Sequence, residues 1–335
     1  MTRLQRVGFA AVAVLTTALR ARPSEAQEFK FNLANEYPAT SLPALADKDF
    51  ADLLKARSGG RIEVALHFNG SLGYKSRDHY NAVADGAVQL ASTPFDKIIG
   101  LAPVYALQTL PFVTPTIQKT DVLFQITRPY YEAAFNKANQ TLLFGEPWTP
   151  SGVWAKTRLG SIDDLKGLKL RTIDSIATKT FRDAGAAPIQ MAWGDVLPAL
   201  TTNVITAVQT SDEGGVSVKI WEAGAKYFNF IGYGMGISAV TMNLDAFKKL
   251  PPDLQKTVRD VASEIEKKYW TLVLTRVDGN KKIMAEAGAV FVDDVPKPVI
   301  DHLMKAGAPM LDEWKKQMGP DSEKILAEFN QKSSS

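Results

Sequence analysis

The chain has 335 residues, a hydrophobic fraction of 45% and a charged fraction of 22%, which together indicate a globular protein of about two domains and exclude a fibrous or disordered one. Its formal charge of +3 arises in the first 26 residues, where four arginines face one glutamate, because the remainder holds 35 basic and 35 acidic residues (39 − 4 and 36 − 1). A neutral body gives no support to a nucleic-acid-binding protein, and the absence of cysteine excludes disulfides, thiol catalysis and cysteine-ligated zinc.

The N-terminus has the pattern of a secretory signal peptide. Two arginines precede an uncharged, mostly apolar run over residues 7–19, which is shorter than the ~20 residues that a membrane span requires. Ser24 and Ala26 then place small residues at the two positions that a signal peptidase reads. We therefore expect residues 1–26 to be cleaved off after Ala26 and the mature protein to be exported. A membrane anchor or a buried helix is the alternative interpretation of this segment.

Strands and helices alternate along the rest of the chain. Period-2 and helical spacings of apolar residues separate the two kinds of element. They predict strands over residues 29–34, 61–68, 88–91, 141–144, 152–156, 168–171, 188–191, 207–209 and 237–242, and helices over residues 42–57, 77–84, 117–138, 177–184 and 195–202. A repeated strand-then-helix order is typical of α/β folds, in which open sheets carry crossover helices.

The C-terminal third predicts one long helix. Pro251 and Pro252 open it at the positions where a missing N–H costs least, and no glycine or proline interrupts residues 253–278. If the helix continues past Lys282, its thirty residues span ~45 Å, which is enough to bridge two domains. The alternative is a pair of helices that break near Gly279.

The sequence nominates no catalytic, cofactor or metal site. His67, His79 and His302 lie far apart, without a second ligand at metal-binding spacing. Glycine-rich phosphate loops and the Gly-x-Ser-x-Gly elbow of hydrolases are also missing. The sequence therefore offers no candidate catalytic residues, whereas it offers several residues suited to ligand binding.

Arg171 is the best candidate for a ligand anchor. It ends a short strand of alternating apolar and basic residues, just before the next predicted helix. A guanidinium held there is a planar, permanently charged fork that matches a carboxylate. The alternative is a structural salt bridge with a neighbouring acid, Asp174 or Asp183.

Other candidate residues lie at strand ends or in strand-to-helix connections, where open α/β sheets bind ligands. Aromatic rings there can stack on a ligand, and hydroxyls at a helix start can bind an anion. The alternatives are core packing for the aromatic residues and simple capping of a helix by the serine. These candidates are Phe95, Trp148, Trp193, Thr210, Ser211 and Asp212.

Several segments together carry a family resemblance. The most specific is Ile-Asp-Asp-Leu-Lys-Gly-Leu-Lys-Leu-Arg over residues 162–171, and others lie at residues 69–73, 110–113, 186–196, 200–203 and 250–255. The chain resembles the periplasmic substrate-binding proteins of tripartite ATP-independent periplasmic (TRAP) transporters, of the DctP type. In that family the segment at 162–171 leads to the arginine that binds the ligand carboxylate, and an aromatic pocket residue stands at the position of Trp193.

The resemblance implies a two-domain α/β periplasmic binding protein, with a cleft between the domains and a long C-terminal helix bridging both. Domain I is expected to comprise residues 27–148 and 236–276, and domain II residues 149–235 and 277–335. The implied partners are a small organic acid and the TRAP membrane permease subunits, and we expect a monomer without cofactor or metal.

The chain departs from the family pattern at two points. Thr210 stands where many members have a pocket asparagine, with Ser211 and Asp212 beside it, and a second basic residue is missing around residues 151–152. These changes argue against sialic acid and against a second ligand carboxylate. We expect a monocarboxylate with an apolar or aromatic tail against Trp193, Trp148 and Phe95.

Other functions remain open at this point. The chain is alternatively a binding subunit of an ATP-driven (ABC-type) importer or the sensing module of a signalling system. A periplasmic hydrolase or lyase is disfavoured because no nucleophile–base pair is apparent.

Overall fold

The structure, a computed structural model, describes residues 28–333, so the predicted signal peptide lies outside the described residues. The strands of this part are β1 Phe29–Ala34, β2 Ile62–His67, β3 Leu90–Pro94, β4 Gln140–Ala155, β5 Lys169–Thr172, β6 Ala187–Gln190, β7 Ala207–Ser211, β8 Tyr227–Asn229, β9 Met235–Asn243 and β10 Val290–Val292. The helices are α1 Leu42–Arg57, α2 Ser76–Ala84, α3 Pro103–Ala106, α4 Ile117–Lys137, α5 Ser175–Asp183, α6 Val196–Thr201, α7 Asp212–Ser217, α8 Leu244–Lys248, α9 Pro252–Glu286, α10 Lys297–Met318 and α11 Asp321–Ser333. The alternation predicted from apolar periodicity is confirmed.

The strands form one continuous mixed sheet in the order β2-β1-β3-β9-β4-β7-β5-β6. Strand β8 pairs with the end of β4 on the edge opposite β7, and β10 pairs with β8. In the first half, β1 pairs in parallel with β2 and β3, and β9 runs antiparallel to β3 and β4. In the second half, β5 pairs in parallel with β6 and β7, and β4 runs antiparallel to β7 and β8. We call these the first and second half-sheets.

Strand β4 joins the two half-sheets and corrects one prediction. The expected strands at 141–144 and 152–156 are parts of a single strand of 16 residues. Its ladder with β9 extends to Pro150, with register shifts between Leu142 and Phe144 and between Pro147 and Pro150, and its ladder with β7 begins at Ser151. Strand β4 is paired along its length, first with β9 and then with β7. This tertiary pairing overrides the weak strand propensity of the glycine and prolines between residues 144 and 152.

Helix α9 is a single helix of 35 residues, which spans ~52 Å. Its first turns pack Leu254 and Val261 into the core of the first half-sheet, and Met284 near its end packs into a core of the second. The long bridging helix and the two-domain α/β fold are therefore confirmed, whereas the residue bounds of the two domains stay a prediction. The last helix, α11, returns to pack against α4.

A pair of buried carboxyl groups lies in the first half-sheet core. Asp47 on α1 accepts from Asn35 Nδ2 at 2.7 Å, and Glu146 on β4 accepts from Ser92 Oγ at 2.5 Å. Their other oxygens, Asp47 Oδ1 and Glu146 Oε1, are buried without a donor among the described residues, so we infer that the pair shares one proton, because ionised carboxylates only accept. Burial raises the pKa of both groups, and the charge of Asp47 raises that of Glu146 further.

This shared proton makes stability depend on pH. The unfolded carboxyls titrate near 3.8 and 4.5, so their contribution is fully present below that range and is lost as pH rises through the raised folded-state pKa. We expect the free energy of unfolding in urea to fall between about pH 5 and about pH 8. Glu146→Gln should flatten this slope, because an amide N–H replaces the proton. The control is Asp52→Asn, an exposed change on the same helix as Asp47, which should leave the pH dependence of stability unchanged. An unchanged pH dependence in Glu146→Gln would contradict the shared proton.

Candidate ligand site

A cavity with a volume of about 50 Å³ for water centres lies where the two half-sheets meet. Its walls come from loops of the first half-sheet, from β4 and β9, and from strand ends and connections of the second half-sheet. The lining residues are Tyr37, Pro94, Asp96, Lys97, Trp148, Ser151, Arg171, Ile173, Trp193, Thr210, Ser211 and Gly236. Strand ends of open α/β sheets are the usual place for a ligand.

Arg171, in strand β5, is 1% exposed. Its Nε donates to the carbonyl of Met191 at 3.2 Å, and its Nη1 donates to the carbonyl of Gln209 at 3.0 Å. Because these carbonyls belong to β7 and to the segment after β6, the guanidinium is fixed across three adjacent strand ends. The two bonds use two of the five guanidinium N–H groups, which leaves a planar face suited to a carboxylate.

Neither acid considered as a structural partner holds Arg171. Asp183 pairs instead with Lys179 at 2.7 Å, and Asp174 caps the N-terminus of α5. Burial also raises the pKa of Asp174 to about 7, which reduces its charge near neutral pH. The salt-bridge alternative for the arginine is therefore not what the structure contains.

The charge of Arg171 has no close countercharge in residues 28–333. Its hydrogen bonds go to main-chain carbonyls, and the surrounding groups, Tyr37 and then Asp96, act on it only through longer-range electrostatics. Burial lowers the pKa of the guanidinium, but arginine stays protonated in proteins. A buried cation without a partner is costly, so the site is electrostatically complementary to an anion.

Three aromatic rings form one wall of the cavity. The ring of Tyr37 lies 4.7 Å from that of Trp148 at 63°, and 6.1 Å from that of Trp193. The Trp193 ring lies 5.4 Å from the guanidinium carbon of Arg171, within cation–π range. Trp148 is oriented by its Nε1, which donates to Ser238 Oγ at 3.0 Å. The wall offers flat apolar surface beside the anion-binding fork.

Thr210 and Ser211 also line the cavity, at the end of β7. Ser211 caps helix α7, because its Oγ accepts from the N–H of Gly214 at 3.0 Å, and the N–H of Glu213 donates to Thr149 Oγ1 at 3.1 Å. The protein itself therefore satisfies these N–H groups, and the capping alternative is the one realised. The Thr210 side chain remains as a polar wall.

Two predicted site residues lie elsewhere. Asp212, the first residue of α7, points to helix α9, where its Oδ2 accepts from Asn280 at 2.8 Å, and burial raises its pKa to about 6. Phe95 is 1% exposed and stacks on Tyr131 at 4.4 Å in a core cluster. It borders a smaller cavity of about 20 Å³ beside the first, because its ring packs among those of Tyr105, Tyr131 and Phe135.

Sequence reasoning missed the residues that the first half-sheet contributes. Tyr37 follows β1, and Asp96 and Lys97 follow β3. Strand β3 was predicted to end at residue 91 but runs to Pro94, which shifts its carboxyl end to these two residues. The strand-end rule, applied to the first half of the chain with the correct strand bounds, could have found all three.

Contacts between the two half-sheets close the cavity. Lys97 Nζ donates to the carbonyl of Ile173 at 2.9 Å, and Lys75 Nζ lies 3.3 Å from Asp195 Oδ2. These contacts connect the loops after β3 and before α2 with the segments after β5 and β6. They hold loops of the first half-sheet against strand ends of the second, next to the aromatic wall and the guanidinium of Arg171.

The volume restricts the ligand. A space of about 50 Å³ by this measure admits roughly four waters, which occupy ~120 Å³ as liquid. This is the size of a small acid with a short chain or a single ring. Two wider clefts of about 510 and 350 Å³ lie outside, between the same loops.

Within residues 28–333, no group of three potential metal-ligating side chains is close enough to hold an ion. In the same range, no helix combines the length and the apolar character that crossing a bilayer demands.

A cavity between two α/β half-sheets, with a buried unpaired arginine and an aromatic wall, is typical of a solute-binding protein. Residues 33–317 match the family described as bacterial extracellular solute-binding protein, family 7 (DctP). The chain belongs to this family, and the resemblance seen in the sequence is confirmed. At the level of the family, these proteins are extracytoplasmic receptors for solutes and not enzymes.

Similar solved structures include DctP6 and DctP7 of Bordetella pertussis, two extracytoplasmic solute receptors that bind pyroglutamic acid. They are 26% and 25% identical to this chain, each with a TM-score of 0.86, and the match covers 90% of this chain and 99% of theirs. The 2,3-diketo-L-gulonate-binding periplasmic protein YiaO of Escherichia coli is 26% identical over 310 residues, 88% of this chain and 90% of YiaO.

Proposed function

We propose that this protein is a periplasmic receptor that captures a small organic monocarboxylate and delivers it to the membrane permease subunits of a TRAP transporter. In this proposal the signal peptide is cleaved after Ala26, and the mature chain acts as a monomer without a cofactor. Ligand binding stabilises the closed form, which is a population shift and not a chemical step.

The observation that carries the proposal is the buried, unpaired guanidinium of Arg171. Its position at the meeting point of both half-sheets, with N–H groups left over, supports a role as the anchor of the ligand carboxylate. Among the described residues, no second unpaired cation lines the cavity, because Lys97 is ion-paired with Asp96. This charge pattern supports one carboxylate over two.

The size and walls of the cavity support a compact, partly apolar body on the acid. Tyr37, Trp148 and Trp193 would pack against it, with Thr210 and Ser211 as polar neighbours, whereas Phe95 and Asp212 leave the proposed site. DctP6 and DctP7 bind pyroglutamic acid, a monocarboxylate with a single ring. We therefore propose an acid of this size class for the present chain.

A ligand screen tests the proposal. At a concentration about a hundredfold above Kd, a ligand adds ~2.7 kcal/mol to the free energy of unfolding, which we expect to raise the melting temperature by about 5 °C. Small monocarboxylates, with pyroglutamate as first candidate, should give this shift, whereas succinate and galacturonate should not. Stabilisation by dicarboxylates or sugar acids alone would overturn the proposal. Mass spectrometry of the bound acid should show it unchanged, which separates a receptor from a hydrolase or lyase.

A further inference from the structure

Two residues of the cavity wall have no role in holding a carboxylate: Asp96 and Lys97. They follow strand β3, and each is largely buried, with side chains 12% and 9% exposed. Lys97 Nζ is ion-paired with Oδ2 of Asp96 and also donates to the carbonyl of Ile173 at 2.9 Å. The ammonium is therefore committed to the protein, and it orients the carboxylate of Asp96.

The second oxygen of Asp96, Oδ1, takes no part in this ion pair. No residue between 28 and 333 donates a hydrogen bond to this carboxylate other than through the Lys97 ion pair. Asp96 lines both the main cavity and the smaller one beside it. A molecule that fills the cavity displaces water from this carboxylate, and a carboxylate oxygen left without a donor is unfavourable, so the bound molecule is the natural source of its hydrogen bond.

The charges of the lining residues indicate whether the ligand's hydrogen-bond donor to Asp96 is charged or neutral. Among the lining residues, Arg171 and Lys97 are cationic and Asp96 is anionic, so the wall carries one net positive charge. A monoanion neutralises that charge, whereas an amino-acid zwitterion, with its ammonium beside Asp96, leaves it uncompensated. The donor is therefore a neutral N–H or O–H group on the same molecule as the carboxylate.

We propose that Asp96 determines specificity by accepting a hydrogen bond from a neutral N–H or O–H donor of the ligand, while Lys97 acts as its positioning residue. The receptor then selects monocarboxylates with such a donor, for example a lactam or a hydroxy acid, over acids of equal size without one. This inference rests on the proposed function and narrows its ligand class. A site built to receive a donor rejects an analogue that lacks it, because the buried acceptor is left unpaired.

Matched pairs of acids test the inference by isothermal titration calorimetry on the mature protein. L-pyroglutamate is compared with 5-oxotetrahydrofuran-2-carboxylate, its lactone isostere, in which a ring oxygen replaces the N–H. (S)-lactate is compared with propionate, which lacks the hydroxyl. In at least one pair, we expect the acid with the donor to bind at least ~100-fold more tightly.

Variants then assign that preference to one residue. In Asp96→Asn, the amide oxygen should stay bonded to Lys97, which turns the amide N–H₂ group toward the ligand. The preference for acids with a donor should therefore fall at least tenfold. Asp85→Asn, an exposed change in the same half of the chain, should leave it intact. If the acids without a donor bind as tightly as their partners, or if Asp96→Asn keeps the preference, the inference is overturned while the proposed function stands. If no monocarboxylate binds, the proposed function is wrong and the inference falls with it.

Discussion

Replacing Arg171 by methionine is expected to abolish binding of the acid without harming the fold. Truncating one partner of a buried, hydrogen-bonded charge pair costs about 2–5 kcal/mol, so the affinity should fall at least ~30-fold. Methionine keeps much of the apolar stem of arginine and needs no countercharge. Because the wild-type guanidinium is buried without an ion pair, the ligand-free variant should melt at the same temperature as wild type or above it.

Calorimetric titration with pyroglutamate, or with the acid found in the screen, measures the first effect, and thermal unfolding without ligand measures the second. Arg158→Met is the matched control, because this arginine is exposed and paired with Asp294 on the surface, and it should leave the affinity unchanged. Arg171→Lys should bind the acid only slightly more tightly than Arg171→Met does, since a point charge cannot replace the planar guanidinium. Unchanged affinity in Arg171→Met would refute the anchor role.

Replacing Glu213 by alanine is expected to give the largest loss of stability. This carboxylate is completely buried, accepts from Arg276 Nε at 2.7 Å and Nη2 at 3.0 Å, and also accepts from Asn280 at 3.0 Å and from the N–H of Leu42 at 2.8 Å. It thereby ties helices α7, α9 and α1 together across the back of the two half-sheets. Removing one partner of a buried ion pair costs about 3–5 kcal/mol, and the partial exposure of Arg276 places the expected loss near the lower bound.

Urea unfolding monitored by circular dichroism measures this loss as a decrease in the midpoint at constant m. Glu213→Gln is the informative companion: its amide oxygen keeps an acceptor for Leu42 and Arg276 Nη2, whereas its N–H₂ group removes the acceptor of Arg276 Nε and Asn280, so it should lose part of the stability that Glu213→Ala loses. The control is Glu222→Ala, an exposed glutamate a few residues further on, which should change stability by at most ~0.5 kcal/mol. A loss of that small size in Glu213→Ala would show that the network does not stabilise the fold.

Local features of the sequence were enough to predict most of the fold. The apolar spacing of residues 29–34 and 42–57 placed β1 and α1 at their observed bounds, because such spacings reflect which face of an element meets the core. The uninterrupted run after Pro252 predicted helix α9. Where prediction failed, as in the division of β4 into two strands, the missing information was the pairing of that strand with β9 and then with β7.

The candidate site was predicted in part. Arg171, the predicted anchor, lines the cavity together with Trp148, Trp193, Thr210 and Ser211. Asp212 does not, because its position in the first turn of α7 turns it toward α9. A residue's place after a strand can be read from local sequence, but the direction of its side chain depends on the register of that helix against its neighbours.

The sequence by itself determined the family, the order of the elements and the position of the arginine, since each of these depends on short-range patterns and motifs. Only the tertiary structure decided which side chains share the cavity with Arg171, because Tyr37 and Asp96 come from strand ends more than seventy residues away in the chain. The absence of a close countercharge for the buried guanidinium is also a tertiary fact. It depends on where every carboxylate of the described chain lies in space, and that follows from long-range packing.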